Sequence, residues 1–213
     1  MALAVNHLIG FGVGPRIFQP WNTAVGATTT LNPSDKNAAV TLSGGNLTAS
    51  HNSVAAHHMV RATHSLSAGR GYFEVTWTGL GTGAAAEPSC YWGVQDSTPP
   101  TTDGSFVGIS GTGVGWGFGT ANTDTQAAGE TSLTAIGLSL ANATLGCAVD
   151  ATNRRVWFRN SAGWVRGYPG GDSHPTVQFA AAAALFPAAS FFNINAGSVT
   201  FNFGASAFTY AAN

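Results

Sequence analysis

Residues 146–164, GCAVDATNRRVWFRNSAGW, constrain the fold of this chain more than any other stretch. Cys147 and Val149 alternate with Ala148 and Asp150, a turn follows at Ala151, Thr152 and Asn153, and then Val156 and Phe158 alternate with Arg155, Trp157 and Arg159. Successive side chains of a strand point to opposite faces, so a period of two on both sides of a short turn predicts an antiparallel hairpin. A second turn at Asn160, Ser161, Ala162 and Gly163 sends the chain back at Trp164.

The same grammar recurs along the chain. Residues 38–42 and 47–50 flank the turn Ser43, Gly44, Gly45, Asn46, whose glycines and asparagine tolerate positive φ and so predict another hairpin. In YFEVTW, Phe73, Val75 and Trp77 share one face and Tyr72, Glu74 and Thr76 the other. Residues 57–62 and 90–94 read as further strands, and the paired prolines of residues 95–106 predict a surface loop. GTGVGWGFG alternates glycine with other residues, but Trp116 occupies the place of the last glycine in a dinucleotide fingerprint and no helical period follows. It is read as a strand with a glycine face, followed by a long polar connection through residues 121–137. The alanine-rich residues 179–192 favour strands with a turn at Pro187 rather than a helix, and the chain closes on VTFNFG and FTY. About ten short strands separated by turn signals, with no helix, predict an all-β sandwich or barrel.

Charge excludes several roles. Only 8% of residues are charged, with eight basic against nine acidic, where soluble domains carry about a quarter. Such a chain has no electrostatic footprint for a phosphate backbone, so nucleic acid is not expected as a partner. Aromatic residues reach 11% and the net charge is −1, which argues for a folded core rather than disorder. No stretch approaches the roughly 20 consecutive apolar residues of a membrane helix, so no membrane insertion is expected. The first basic residue is Arg16, too late for the basic start of an export signal. Residues 1–27 are read as an extended apolar arm that either folds back as an edge strand or docks on another subunit, and residues 28–213 as one domain. Cys90 and Cys147 lie in apolar strand-like runs, where a small buried thiol is commoner than a staple.

GRGYFEVTW, YWGVQDS, LGCAVDATNRRVWFRNSAGW, LFPAASFF and VTFNFG occur in the order and rough spacing of SPRY (B30.2-like) domains, so residues 32–210 resemble that family. The resemblance implies a bent antiparallel β-sandwich of the concanavalin A-like jelly-roll type, a non-catalytic recognition role, no cofactor, and binding loops at one end. LNPSDKNAAVTLSGGNLTAS and the NHLIGFG start look like segments of bacteriophage and prophage structural proteins. That second likeness implies a virion component, made in the bacterial cytoplasm and displayed on the extracellular particle. It would be a homo-oligomer there, contacting other virion subunits through the arm and a host surface glycan or protein through its loops. The alternatives are a purely structural virion protein and a polysaccharide-cleaving enzyme on a lectin-like sandwich.

The candidate ligand-binding residues lie near loops: Tyr91 and Trp92 before the proline loop, then Trp164, Arg166, Tyr168, Asp172 and His174 around a glycine loop. Flat rings stack on sugar faces while uncharged polar groups satisfy hydroxyls, although Trp164 could equally just close its hairpin. Trp77, Trp116 and Phe158 are assigned to the core, and Trp157 to a place covered by the stems of Arg155 and Arg159 rather than an exposed platform. No catalytic or metal site is assigned. Glu74 has Thr76 and Thr78 where a glycosidase would need a second acid. Asp172, Ser173 and His174 are sequence neighbours without the strand-to-helix setting of a nucleophile. On a strand His58 and His64 would share a face with His57 turned away, so this run does not supply three ligands.

Overall fold

The computed structural model describes residues 24–52, 56–78, 90–101, 104–108, 113–118, 123–127, 144–165, 184–192 and 195–210. These form thirteen strands and no helix: β1 (Leu31–Lys36), β2 (Val40–Ser43), β3 (Thr48–Asn52), β4 (His57–Ala62), β5 (Arg70–Thr78), β6 (Cys90–Gln95) and β7 (Gly113–Phe118), then β8 (Thr123–Ala127), β9 (Thr144–Asp150), β10 (Arg155–Asn160), β11 (Gly163–Val165), β12 (Phe186–Phe192) and β13 (Asn195–Asn202). They build two antiparallel sheets, one of six strands in the order β1-β4-β12-β6-β7-β8 and one of seven in the order β11-β10-β9-β5-β13-β3-β2. The all-β sandwich expected from the alternating runs is what the chain forms.

Both predicted hairpins are present. β2 and β3 pair Ser43 with Thr48 across a turn in which Gly44, Gly45 and Asn46 take φ of 59°, 68° and 63°. β9 and β10 pair Asp150 with Arg155, and the turn between them is one residue longer than expected because Arg154 also adopts positive φ, 56°. Asp150 holds that turn by accepting from the Asn153 backbone N–H at 2.8 Å and from its side-chain amide at 2.9 Å.

The inward faces carry the apolar set. Phe73, Val75 and Trp77 of β5, Cys147 and Val149 of β9, and Val156 and Phe158 of β10 meet Trp92, Val94, Ala189 and Phe191 from the six-stranded sheet, all at most 1% exposed. Edge-to-face ring pairs lock the layers, with centroids 5.1 Å apart for Trp92 and Phe158 and 5.9 Å for Trp77 and Phe191. Trp77 and Phe158 thus occupy the core as expected, whereas the side chain of Trp116 lies outside the described residues. On the opposite face of the seven-stranded sheet, Thr48, Thr200, Thr76 and Thr144 stand in one row across β3, β13, β5 and β9. Their hydroxyls bond in pairs, Thr48 with Thr200 at 2.9 Å and Thr76 with Thr144 at 3.0 Å.

Four expectations need correction. Strands begin at Leu31, not Ala38: β1 contains Pro33, which the ladder tolerates because β1 is an edge strand with an irregular register against β4. Pro187 is not a turn but lies within β12, where it pairs with Val94 of β6 one residue before the β4 ladder starts at Ala188. Its missing N–H therefore falls where β12 is not yet paired with β4. The stretch read as a long polar connection contains β8, an edge strand beside β7. The proline loop is only partly a surface loop, since Asp96 and Ser105 are 6% and 7% exposed.

Candidate functional site

The residues proposed for ligand binding separate into three groups. Arg166, Tyr168, Asp172 and His174 lie outside the described residues. Tyr91 and Trp92 are enclosed, at 2% and 0% exposed, although both sit next to a loop. Adjacent strand residues face opposite ways, and here each way is covered. Trp92 points into the inter-sheet core, while Tyr91 lies on the outer side of the six-stranded sheet, roofed by Phe106 at 5.2 Å and grouped with Met59, Val107 and Ala188. Neither ring is presented to a ligand in this structure.

Trp164 is half-buried, and its surroundings define the best-described candidate surface. The two-residue turn at Ser161 and Ala162, closed by the Ala162 N–H donating to the Asn160 side-chain carbonyl at 2.7 Å, sets Trp164 opposite Arg159. From there its ring meets Tyr72 edge-on at 6.3 Å, with the Arg159 guanidinium over its face at 5.1 Å. The same guanidinium lies 4.7 Å from the Tyr210 ring centroid, so one cation is held between two aromatic faces. Beneath them Tyr72, Ala148 and Trp157 form a small apolar cluster with Trp164 and Phe208 packed against it. Trp157, 1% exposed, is covered as expected, and the residues packed around it are this aromatic set.

Glu74 lies under this surface and explains its shape. It is 2% exposed and accepts three hydrogen bonds, from the Tyr72 hydroxyl at 3.0 Å and from the backbone N–H groups of Thr209 and Tyr210, both at 2.7 Å. Burial, with the Glu74 charge as the second cause, pushes the Tyr72 phenol far above its usual range, so its hydroxyl is a fixed donor. Tyr210 shifts up for the same two causes in that order, and its own hydroxyl donates to the Thr144 carbonyl at 2.9 Å. Gly146 makes the arrangement possible, because a Cβ there would strike the Tyr72 hydroxyl and the Arg159 stem. Sequence reasoning isolated Glu74 as a lone acid but missed its partners, which lie 135 and 136 residues away.

Several other buried polar groups are also engaged. Arg61, 4% exposed, donates to both oxygens of Asp35 at 2.8 and 2.9 Å and to the carbonyls of Asp96 and Pro99 at 3.1 and 2.7 Å, which pins the proline loop over the outer face of the six-stranded sheet. His51 of β3 and His58 of β4, at 2% and 3% exposed, meet in the core through Nε2 and Nδ1. His57 faces outward among Phe192, Phe106 and Tyr91 at 4.5, 4.7 and 6.0 Å, and burial, then the neighbouring His58, lowers its pKa to about 4. His64 falls beyond the end of β4 on the exposed side, bonded to the Thr63 hydroxyl at 3.1 Å. Among the described residues no three histidines, cysteines or carboxylates converge as a metal site.

The chain matches no protein-family model and no curated protein. Among solved structures it is similar to the TRIM65 PSpry domain, with 17% identity, a TM-score of 0.59, and 82% of this chain and 88% of that one covered. It is likewise similar to the SPRY domain of human HERC1, with 16% identity, a TM-score of 0.59, and 80% and 96% covered. These likenesses, together with the two antiparallel sheets and their core, establish that residues assigned to the sandwich adopt the fold of a SPRY domain.

Proposed function

We propose that this chain is a non-catalytic recognition module, carried on a phage or prophage particle and contacting a host surface glycan or protein. The observation that supports it best is the use made of buried polar groups. Glu74, Asp150 and Arg61 belong to three separate bonding sets, and each fixes backbone in place: residues 209–210, the turn at Asn153, and the proline loop. A rigid scaffold that spends its buried charge on holding loops is suited to presenting them. The phage setting rests on the likeness of the lead-in segments, and the glycan on Trp164, Tyr168 and the polar side chains of the glycine loop beyond them.

The test is binding of the purified chain to host cells and to their isolated polysaccharide, with Trp164→Ala and Tyr168→Ala beside the parent. Weakened binding in either, with an unchanged circular dichroism spectrum, supports the loop as the contact; binding unchanged in both overturns that assignment. A second reading is a purely structural particle component. It draws on the anchoring of residues 24–26 to the sandwich, through Val25 N–H to the Tyr72 carbonyl at 3.3 Å and Gly26 N–H to the Phe203 carbonyl at 3.4 Å. Deleting residues 1–18 should then abolish incorporation or oligomerisation, and a truncated chain that still assembles removes this reading.

A further inference from the structure

Two segments far apart in sequence meet beside Tyr72 of β5, and one residue holds both. Residues 24–26 lie at the end of the segment read as an arm, and they dock in the plane of the sheet as a parallel bridge from Ala24 to Tyr72, with Val25 N–H donating to the Tyr72 carbonyl and the Val25 side chain packed against the inter-sheet core. Residues 204–210 cross the outer face of the seven-stranded sheet as a strap. Their bonds run to Glu74 from the Thr209 and Tyr210 N–H groups, and to the Thr144 carbonyl from the Tyr210 hydroxyl. Asn202 shapes the bend by donating to the carbonyls of Ser206 and Ala207 at 3.3 and 3.1 Å and accepting from the Gly204 N–H at 3.0 Å. Tyr72 belongs to both sets. Its backbone carries residues 24–26, its hydroxyl donates to Glu74, and its ring takes the edge of Phe208 at 4.8 Å. The segments also touch directly, since a Cβ on Gly204, whose φ is 105°, would collide with the Ala24 methyl.

We propose that Tyr72 and Glu74 form a junction through which the anchoring of residues 24–26 and the closure of the 204–210 strap are coupled. Coupling is reciprocal. A partner that holds the arm in its anchored position closes the strap over Tyr72, Trp157 and Arg159, and one that draws residues 24–26 away loosens it. The device would report arm engagement at an aromatic surface on the body of the domain.

Amide hydrogen exchange on the full chain tests this, with Val75 and Phe201 as core references. Glu74→Gln replaces one acceptor oxygen by a donor facing the strap N–H groups. It should speed exchange at Thr209 and Tyr210 and also, at least fivefold, at Val25 and Gly26, which it does not touch. Val25→Pro deletes the donor to the Tyr72 carbonyl, at the cost of a fixed φ and a changed side chain against the core, and should speed Thr209 and Tyr210 by a similar factor. Exchange at Val25 and Gly26 unchanged by Glu74→Gln, or at the strap unchanged by Val25→Pro, overturns the coupling. If either variant also accelerates the core references, Tyr72→Phe, which keeps the ring and removes only the hydroxyl, decides by the same pair of readouts.

Discussion

The variant Gly146→Ala would place a methyl group against the Tyr72 hydroxyl and 2.8 Å from both the Tyr72 Cζ and the Arg159 Cγ. None of these atoms is the free end of a flexible chain: the Tyr72 ring is 0% exposed and fixed between Phe208 and Trp164. Overpacking of this kind costs about 1–3 kcal/mol. Displacing the hydroxyl from Glu74 also forfeits a bond to a charged acceptor, worth about 1.5–3 kcal/mol. The expected loss is about 3–5 kcal/mol, a fall in melting temperature of roughly 10 °C for a domain of this size. Urea unfolding of four proteins measures it: parent, Gly146→Ala, Tyr72→Phe and the double variant. Removing the hydroxyl opens room for the new methyl, so the double variant should be more stable than the sum of the single losses predicts, by about 1 kcal/mol or more. Strict additivity, or a Gly146→Ala loss below about 1 kcal/mol, would refute the claim that glycine is required there for the tyrosine to cross β9.

His57 gives a pH prediction. Its pKa is about 4 in the fold against 6.5 when free, so the unfolded chain takes up the proton first and stability falls as pH drops from 6.5 to 4, then levels. Allowing for partial exposure, the loss is on the order of 1–2 kcal/mol, and the difference in urea midpoint between parent and His57→Gln should narrow over that interval. Arg61→Met leaves Asp35 and two loop carbonyls without their donor and should cost about 3 kcal/mol, with proteolytic cleavage appearing within residues 96–101. The Cys147 thiol, fully buried and raised well above its usual range by that burial, should resist a thiol reagent in native buffer and react only on unfolding, as read from its labelled peptide.

The faces of β5, β9 and β10 were legible because each has one side packed in the inter-sheet core, and a half-buried strand writes that difference as alternation. β1 was not legible. Asn32, Pro33, Ser34 and Asp35 carry no apolar period, and the strand exists because Leu31 is buried and Arg61 clamps Asp35. Pro187 misled for a related reason: its cost depends on where the neighbouring ladder begins, which is a property of β4 and not of the local sequence. At the candidate site the aromatic and arginine residues were visible, but their closure by residues 204–210 was not, since Thr209 and Tyr210 contribute through their backbone N–H groups. Backbone donors leave no trace in residue type. Tyr91 and Trp92 lie next to a loop but are not presented by it: Phe106 and Val107 fold over Tyr91, and Trp92 points the other way into the inter-sheet core.

The row of Thr48, Thr200, Thr76 and Thr144 gives its own part of this sheet face polarity without ions. Its hydroxyls bond in pairs, so this row adds polarity but no charge to a face that elsewhere carries Glu74, Arg159 and the Arg70–Asp150 ion pair. What these four side chains contribute is insensitive to ionic strength, because none of them carries a charge. For a chain with only 8% charged residues, paired hydroxyls of this kind keep part of a sheet face polar where few ions are to hand.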